Sequence, residues 1–263
     1  MERMEYSSIN GNNIDSVKSI YVDYENKRYL TKIMASSFTK KLEELDLSEC
    51  YALKGRLPLS KCKNLKKLKI TGSDFNDLTS IYKCTNLEYL YLYLRCVIYT
   101  SLEMLNKLKN IKHLELYNSY IDISTYIDID IQNDNVIFED KYLELSNLHT
   151  LILHNTSFDP YNTTSIYFDR NERIFENILK LLSKCTNLKI LKIKFEKSGI
   201  KCAKFDNLKF INELTQLEEL ELTNCKIKNI SILSKLKNLK KLTISKDSIF
   251  NKYTLNNIEV NVI

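Results

Sequence analysis

The chain has 263 residues, of which 44% are apolar and 27% are charged, a normal globular balance that argues against disorder. The formal charge of +6 is unevenly placed, since residues 181–263 hold 16 Lys against 8 Asp and Glu, so a polyanion site would be sought in the C-terminal third. No segment approaches the roughly 18–20 apolar residues that span a bilayer, and the N-terminus lacks a signal-peptide core. We therefore expect a cytoplasmic protein without membrane association; a nuclear location is also compatible.

A short apolar frame, LxxLxL, recurs along the chain, and its alternation predicts half-buried β-strands. The eight clear copies begin at Leu42, Leu65, Leu87, Ile111, Leu148, Leu188, Leu217 and Leu239. Weaker copies flank them, Val17/Ile20/Val22 at the start and Leu255/Ile258/Val260 at the end. After each frame the apolar spacing changes to every third residue, which predicts a short helical or 3₁₀ return. The sequence thus predicts about ten strands.

The most complete units begin at Leu65 and Leu217, span 22 residues and follow LxxLxLxx(S/C)x(I/F)xx(L/I)xx(L/I)xx(L/C)xx. This pattern resembles the leucine-rich repeat family, and its spacing resembles the short SDS22-like and internalin-like subclass. The resemblance covers residues 17–263. It implies an α/β solenoid, a curved right-handed superhelix with a parallel concave sheet of about ten strands and short helices or 3₁₀ turns on the convex side.

We expect one domain with three parts. Residues 1–41 would form an N-terminal cap and the first weak repeat, residues 42–254 the main repeats, and residues 255–263 a C-terminal edge strand. Terminal repeats of a solenoid need such caps because each has only one neighbour.

A polar residue stands directly before most frames. The set is Asn64, Asn86, Asn110, Asn147, Asn187, Gln216 and Asn238. We interpret it as the end of the convex turn, since Asn tolerates left-handed backbone and bonds locally.

Three of the seven cysteines, Cys62, Cys84 and Cys185, share one position of the repeat that is Leu in other copies. The cysteine spacing contains no CxxC pair, which excludes local zinc-knuckle and thioredoxin-type motifs. We therefore expect these thiols to be reduced and buried in the core.

The residues that alternate with the frame's apolar positions are predicted to face the concave side. On the three central strands the candidate partner-binding residues are Tyr89, Tyr91, Tyr93, His113, Glu115, Tyr117, Thr150, Ile152 and His154. Charged strands flank them, and an aromatic centre with a charged rim is typical of protein-binding surfaces. The alternative is that the rings stack between strands to protect the sheet. On the last, weak strand the same reasoning assigns Asn257, Glu259 and Asn261 to this face.

Two consecutive repeats carry insertions, near residues 120–140 and 157–171. In the first, Ile127, Ile129 and Ile131 alternate with Asp128 and Asp130, which predicts a strand. The segment SIYFD at 165–169 is also strand-like, and we predict that the two pair as a small sheet beside the aromatic residues. The acidic spacing lacks the glycine and terminal glutamate of a calcium loop, so no metal site is predicted.

No HExxH, GxSxG, GxGxxG or P-loop pattern occurs, so no catalytic residue and no cofactor is predicted. The leading hypothesis is a monomeric, non-enzymatic module that binds a protein partner through the concave face and the insertions. One alternative is nucleic-acid or polyanion binding by the C-terminal third, through Lys192, Lys194, Lys197, Lys201, Lys204, Lys240 and Lys241. Another is a host-directed, effector-like leucine-rich repeat protein. Glu219 and Glu221 interrupt the basic face, which weighs against nucleic acid.

Overall fold

The repeats form one parallel sheet with a leucine-rich core behind it. The computed structural model describes residues 4–5, 17–22, 37–50, 54–57, 59–71, 74–77, 79–93, 99–117, 120–122, 127–130, 135–138, 142–154, 180–194, 203–205, 208–227, 229–246, 255 and 258–263. Strands in these ranges are numbered β1 to β19 along the chain.

Eleven strands make the main sheet, and every adjacent pair is parallel. In order across it they are β1 (Met4–Glu5), β2 (Ser19–Tyr21), β3 (Glu44–Leu47), β5 (Lys67–Thr71), β7 (Tyr89–Tyr93), β9 (His113–Tyr117), β13 (Thr150–His154), β14 (Ile190–Lys194), β16 (Glu219–Thr223), β18 (Lys241–Ile244) and β19 (Glu259–Val262). The predicted α/β solenoid is confirmed. The sheet contains the ten predicted strands, and the two-residue strand β1 adds an eleventh that the repeat pattern did not predict.

Short returns connect the strands, as the change of apolar spacing predicted. They include 3₁₀ helices at Ser37–Lys41, Ile81–Lys83, Lys209–Glu213 and Ser231–Lys235, and a single α-helical turn, α1, at Leu102–Leu105. Among the described residues, no helix is both long and apolar enough to cross a bilayer.

Small two-stranded sheets accompany the main one. Three of them are parallel and join consecutive strands outside the main sheet: β4 (Lys54–Arg56) with β6 (Asp74–Asp77), β8 (Tyr99–Ser101) with β10 (Tyr120–Asp122), and β15 (Ala203–Phe205) with β17 (Cys225–Ile227). These pairs extend the contact between neighbouring repeats beyond the main strands.

The first insertion contains the predicted strand, with a partner that was not predicted. Strand β11 (Ile127–Asp130) pairs antiparallel with β12 (Asn135–Phe138), so the segment forms a hairpin within a single insertion. The proposed partner, residues 165–169, and the rest of the second insertion lie outside the described residues. Pairing with that segment stays a prediction.

The core is a stack of equivalent apolar side chains from successive strands. Leu45, Leu68, Leu90 and Leu114 are partners in register, and each is at most 1% exposed. Because strand side chains alternate between faces, burying this column leaves the intervening residues on the open, concave face. Full burial of each leucine removes it from water and is the main source of stability in such a stack.

The predicted core cysteines are buried and reduced. Cys62, Cys84 and Cys185 are 0% exposed, and burial raises their pKa values to about 11, 12 and 11 respectively. Such thiols are poor nucleophiles, because the reactive form is the thiolate. Cys50 is also buried, and its Sγ donates to the backbone oxygen of Val22 at 2.8 Å.

The asparagines before the strands connect neighbouring repeats, which corrects the interpretation that they bond locally. In each case the side-chain Nδ2 donates to a backbone oxygen of the preceding repeat, at 2.7–3.0 Å. The pairs are Asn64 to Lys40, Asn86 to Lys63, Asn110 to Thr85, Asn147 to Lys109, Asn187 to Ser146 and Asn238 to Thr215. None of the six has a positive φ, which among the described non-glycine residues occurs at Asn224 alone. The six bonds form an asparagine ladder.

The register predicted for the last strand is wrong by two residues. Leu242 lies opposite Val260, and Ile244 lies opposite Val262, whereas the frame placed Ile258 and Val260 there. Glu259 therefore continues the column of Lys241. A shift of two residues keeps every side chain on its own face, so the apolar alternation alone could not detect it.

Candidate functional site

The nine predicted partner-binding residues lie together on the concave face of β7, β9 and β13. Register brings them into three rows: Tyr89, His113 and Thr150; Tyr91, Glu115 and Ile152; Tyr93, Tyr117 and His154. We call these nine residues the aromatic centre. All are half-buried except Tyr93, which is 40% exposed, while the leucines that alternate with them are in the core.

The rings of the aromatic centre contact one another across the strands. Tyr89 stacks on His113 with centroids 4.5 Å apart and an interplanar angle of 20°. Tyr117 contacts three rings, Tyr91 at 5.2 Å, Tyr93 at 5.7 Å in an edge-on arrangement, and His154 at 5.1 Å. The lateral stacking considered as an alternative from the sequence is therefore present. It fixes the ring positions and leaves the Tyr93 ring the most exposed.

Glu115 connects the aromatic centre through hydrogen bonds. Its Oε1 is bonded to His113 Nε2 and accepts from the Tyr89 hydroxyl at 3.5 Å, and its Oε2 accepts from the Tyr117 hydroxyl at 3.3 Å. The side chain is 13% exposed. A carboxylate can accept about four hydrogen bonds, so these three donors satisfy most of its capacity.

The protonation states follow from this arrangement. Burial alone would raise the pKa of Glu115, but the bond and charge of His113 and the two tyrosine hydroxyls outweigh it, and the net pKa lies below its ordinary value. Burial, together with the Glu115 charge, raises the pKa of Tyr89 and of Tyr117 to about 12. At neutral pH the aromatic centre thus holds an ionised Glu115 beside the neutral phenols of Tyr89 and Tyr117.

Basic residues border the aromatic centre on both sides. On β5, Lys69 places its Nζ 5.3 Å from the ring centroid of Tyr91, a cation–π contact that the sequence reasoning missed. On β14, Lys194 is opposite His154 in register. Burial, followed by the Lys194 charge, lowers the pKa of His154, and Glu221 opposes this effect. The lowered pKa favours the neutral imidazole.

Several charged side chains on the neighbouring strands form ion pairs across adjacent strands. On the N-terminal side Lys67 bonds Glu44 at 2.8 Å. On the C-terminal side Glu219 contacts Lys192 at 2.9 Å and Lys241 at 3.5 Å. We call Lys192, Glu219 and Lys241 the C-terminal flank. Opposite charges on adjacent strands stabilise the sheet and reduce the net charge of the concave face.

A second column of charges lies at the position that directly precedes the strands. Glu43 bridges Lys18 and Lys66 at 2.9 and 2.8 Å, and Glu88 bonds Lys112 at 2.8 Å. The hydrogen bonds from the two lysines lower the pKa of Glu43 to about 2. Further along, Glu218 contacts Lys240 at 2.6 Å and Lys189 at 3.5 Å. The sequence carries this signal as alternating sign at residues 18, 43, 66, 88 and 112, which was not recognised.

The two histidines of the aromatic centre are each engaged by a tyrosine ring, His113 by Tyr89 and His154 by Tyr117. Within the described residues, no group of three or more His, Cys, Asp or Glu side chains could hold a metal ion. The contacts that are present are those of a packed, hydrogen-bonded surface.

Comparison with known proteins finds similarity in structure only. No family model matches the sequence, and no curated protein matches it. Among solved structures, internalin C2 from Listeria monocytogenes is similar with a TM-score of 0.59 and 19% identity, over 90% of this chain and 92% of that one. The internalin InlF from the same species is similar with a TM-score of 0.53 and 18% identity, over 93% of this chain and 72% of that one.

At these identities the likeness concerns the fold. The repeat pattern of the sequence, the parallel sheet in register and the internalin structures agree with one another, and the resemblance stated from the sequence is confirmed. The chain has the fold of the leucine-rich repeat proteins.

Proposed function

We propose that the protein is a non-enzymatic interaction module that binds a protein partner through the aromatic centre and the adjacent insertions at 120–140 and 157–171. Leucine-rich repeat proteins generally serve as interaction modules, which supports protein binding at this coarse level. The particular surface is our proposal, and the contrast between the aromatic centre and its charged neighbours carries it.

The aromatic centre and its charged neighbours differ in the kind of surface from which a binding partner would remove water. Tyr93 presents 40% of its surface, and it is one of three large hydrophobic side chains that are exposed among the described residues. Tyrosine buries a large area at low entropic cost and keeps a polar tip, which makes it a common anchor in interfaces. A partner that covers the aromatic centre would leave the neighbouring ion pairs, Lys67–Glu44 and Lys192–Glu219, intact. A partner there would meet an aromatic surface around one carboxylate, bordered by these two ion pairs.

The same ion pairs weigh against the polyanion alternative. Of the lysines assigned to it, Lys192 and Lys241 contact Glu219, and Lys240 contacts Glu218. A phosphate would have to compete with these carboxylates for each ammonium group. Lys197 and Lys201 lie outside the described residues.

Site-specific photo-crosslinking tests the proposal. Tyr93 would be replaced by the photoreactive residue p-benzoylphenylalanine, and the exposed Lys83, on the 3₁₀ turn at Ile81–Lys83, would be replaced in a matched control. We expect illumination in native cell extract to attach a discrete protein to position 93 and not to position 83. The same protein should be lost from affinity capture when Tyr89, Tyr91 and Tyr93 are all changed to Ala.

Because the three tyrosine rings also pack against His113 and Tyr117, the triple variant must first be checked for native far-ultraviolet circular dichroism. The single change Tyr93→Ala, at the most exposed ring, serves as the milder variant. Equal crosslinking at positions 83 and 93, or retention of the same captured proteins by folded triple and single variants, would contradict the proposal.

A further inference from the structure

Negative charge is concentrated at the aromatic centre and in the insertion that follows it. Residues 113–140 contain seven acidic side chains and no Lys or Arg, in a chain whose formal charge is +6. Glu115 is the member of this set that lies in the aromatic centre, and its pKa is held below the ordinary value, so it is ionised at neutral pH. The remaining six residues are Asp122, Asp128, Asp130, Asp134, Glu139 and Asp140.

The protein already places one cation on this aromatic surface. Lys69 Nζ lies 5.3 Å from the Tyr91 centroid, which is within the range for an attraction between an ammonium group and a tyrosine ring. The Tyr91 ring also contacts Tyr117, and the Tyr89 ring is stacked on His113. The Tyr93 ring, which meets Tyr117 at its edge, keeps the largest exposure in the aromatic centre.

We propose that the partner presents a basic side chain, Arg or Lys, to the aromatic centre, where it lies on the Tyr93 ring beside Tyr117 and is attracted by Glu115. This inference rests on the proposed function and names the chemistry of the partner segment. Ring faces attract cations through their quadrupole, and an ionised carboxylate nearby adds to the attraction. The composition of residues 113–140, acidic and without Lys or Arg, favours the same sign of charge in the partner.

The charges on either side sharpen this assignment. Lys192 is neutralised by contact with Glu219, so Lys194, opposite His154 in register, is the basic residue that borders the site on this side. Lys69 competes with a bound cation, because its ammonium group already lies over the Tyr91 ring and repels a second positive charge. Its removal should therefore strengthen binding of a basic ligand, whereas removal of a lysine that helped to bind an acidic ligand would weaken it.

Three matched peptides test the proposal: acetyl-GRGRGRG-amide, acetyl-GQGQGQG-amide and acetyl-GEGEGEG-amide. Binding to the full chain would be followed by NMR, through the ring resonances of Tyr93, Tyr117 and His154 and at low salt. We expect the arginine peptide to bind at least about fivefold more tightly than the glutamine peptide, and the glutamate peptide to leave these resonances unshifted. Glu115→Gln should weaken arginine-peptide binding about fivefold, and Lys69→Ala should strengthen it.

Glu218→Gln is the matched control, because it removes the same charge from a carboxylate that is paired with Lys240, outside the aromatic centre. It should change arginine-peptide affinity less than twofold. Tighter binding of the glutamate peptide, an unchanged affinity in Glu115→Gln, or weaker binding in Lys69→Ala would each overturn the proposal.

The outcome is separable from that of the proposed function. If position 93 crosslinks a partner but the arginine peptide shows no preference, the surface binds a protein of other chemistry and the inference about a basic side chain is wrong. If position 93 crosslinks no partner in excess of position 83, the proposed function itself fails.

Discussion

The aromatic centre and the C-terminal flank share a backbone and differ in what projects from it. Leu90 under the aromatic centre and Leu220 under the C-terminal flank are both 0% exposed and occupy the same position of the repeat. Above the first lie stacked rings around one carboxylate, and above the second lie Glu219, Lys192 and Lys241 in mutual contact. The core side of each strand therefore sets the fold, while the concave side is free to differ from strand to strand.

This difference separates two kinds of surface. The C-terminal flank is satisfied internally, because each charge has a partner on an adjacent strand. In the aromatic centre Glu115 is hydrogen-bonded to His113, Tyr89 and Tyr117, yet the centre still exposes ring surface that water solvates poorly. Stability effects should consequently be alike in the core of both regions and unlike on their concave faces.

The largest effect is expected from the shared core. Leu90→Ala and Leu220→Ala each remove a fully buried side chain, and each should lower the free energy of unfolding by about 2–5 kcal/mol. Urea denaturation would measure both. A loss below about 1 kcal/mol for either variant, or losses that differ severalfold, would show that the two regions do not share an equivalent core.

An intermediate effect is expected at Glu115. Replacing it by Gln removes the ionised acceptor of His113, Tyr89 and Tyr117, and should cost about 1–3 kcal/mol at neutral pH. Because the pKa of Glu115 in the folded protein lies below its ordinary value of 4.5, this contribution is complete above pH 4.5 and is lost as the pH falls through the folded-state pKa.

Denaturation of wild type and Glu115→Gln at a series of pH values would check this. The two curves should converge on the acid side and stay apart from pH 5 to 7. A difference that grows on acidification would mean that the carboxylate is not stabilised by its neighbours.

The smallest effect is expected from the exposed ion pairs. Glu218→Gln removes the partner of Lys240 and Lys189, and the loss of stability should be smaller than that of Glu115→Gln, because both lysines are well exposed and surface ion pairs are weak. Raising the salt concentration should erase the difference from wild type, since screening acts on exposed pairs. Thermal denaturation at low and high salt would measure it, and a salt-independent loss would show that the glutamate acts through packing.

Much of this architecture could be predicted from the sequence because the same apolar pattern recurs in every repeat. Leu45, Leu68, Leu90 and Leu114 define the strand, its buried face and its neighbours in register. The nine residues of the aromatic centre follow from the same alternation, as positions of opposite parity on adjacent strands. In the weak last copy, at Leu255 and Ile258, the alternation predicted the correct face for each side chain but the wrong strand register.

The contact partners of individual polar side chains could not be predicted from the sequence. The residue types at Asn86 and Lys69 are visible in the sequence, but the identity of their partners depends on rotamers and on the spacing between repeats. The bond from Asn86 reaches Lys63, and the Lys69 ammonium rests on Tyr91. Both contacts cross from one repeat to the next, whereas the expectation for Asn considered only its own turn.

The asparagine ladder has a consequence for how this chain can change in length. Asn64, Asn86 and Asn238 reach carbonyls 23 or 24 positions earlier, while Asn147 and Asn187 reach across 38 and 41 positions and make the same bond. The ladder therefore keeps the same bond across both insertions, and each doubling of a flexible loop adds only about 0.6 kcal/mol of closure cost. These two repeats are natural points for evolution, or for an engineer, to graft new segments onto the solenoid without disturbing its sheet.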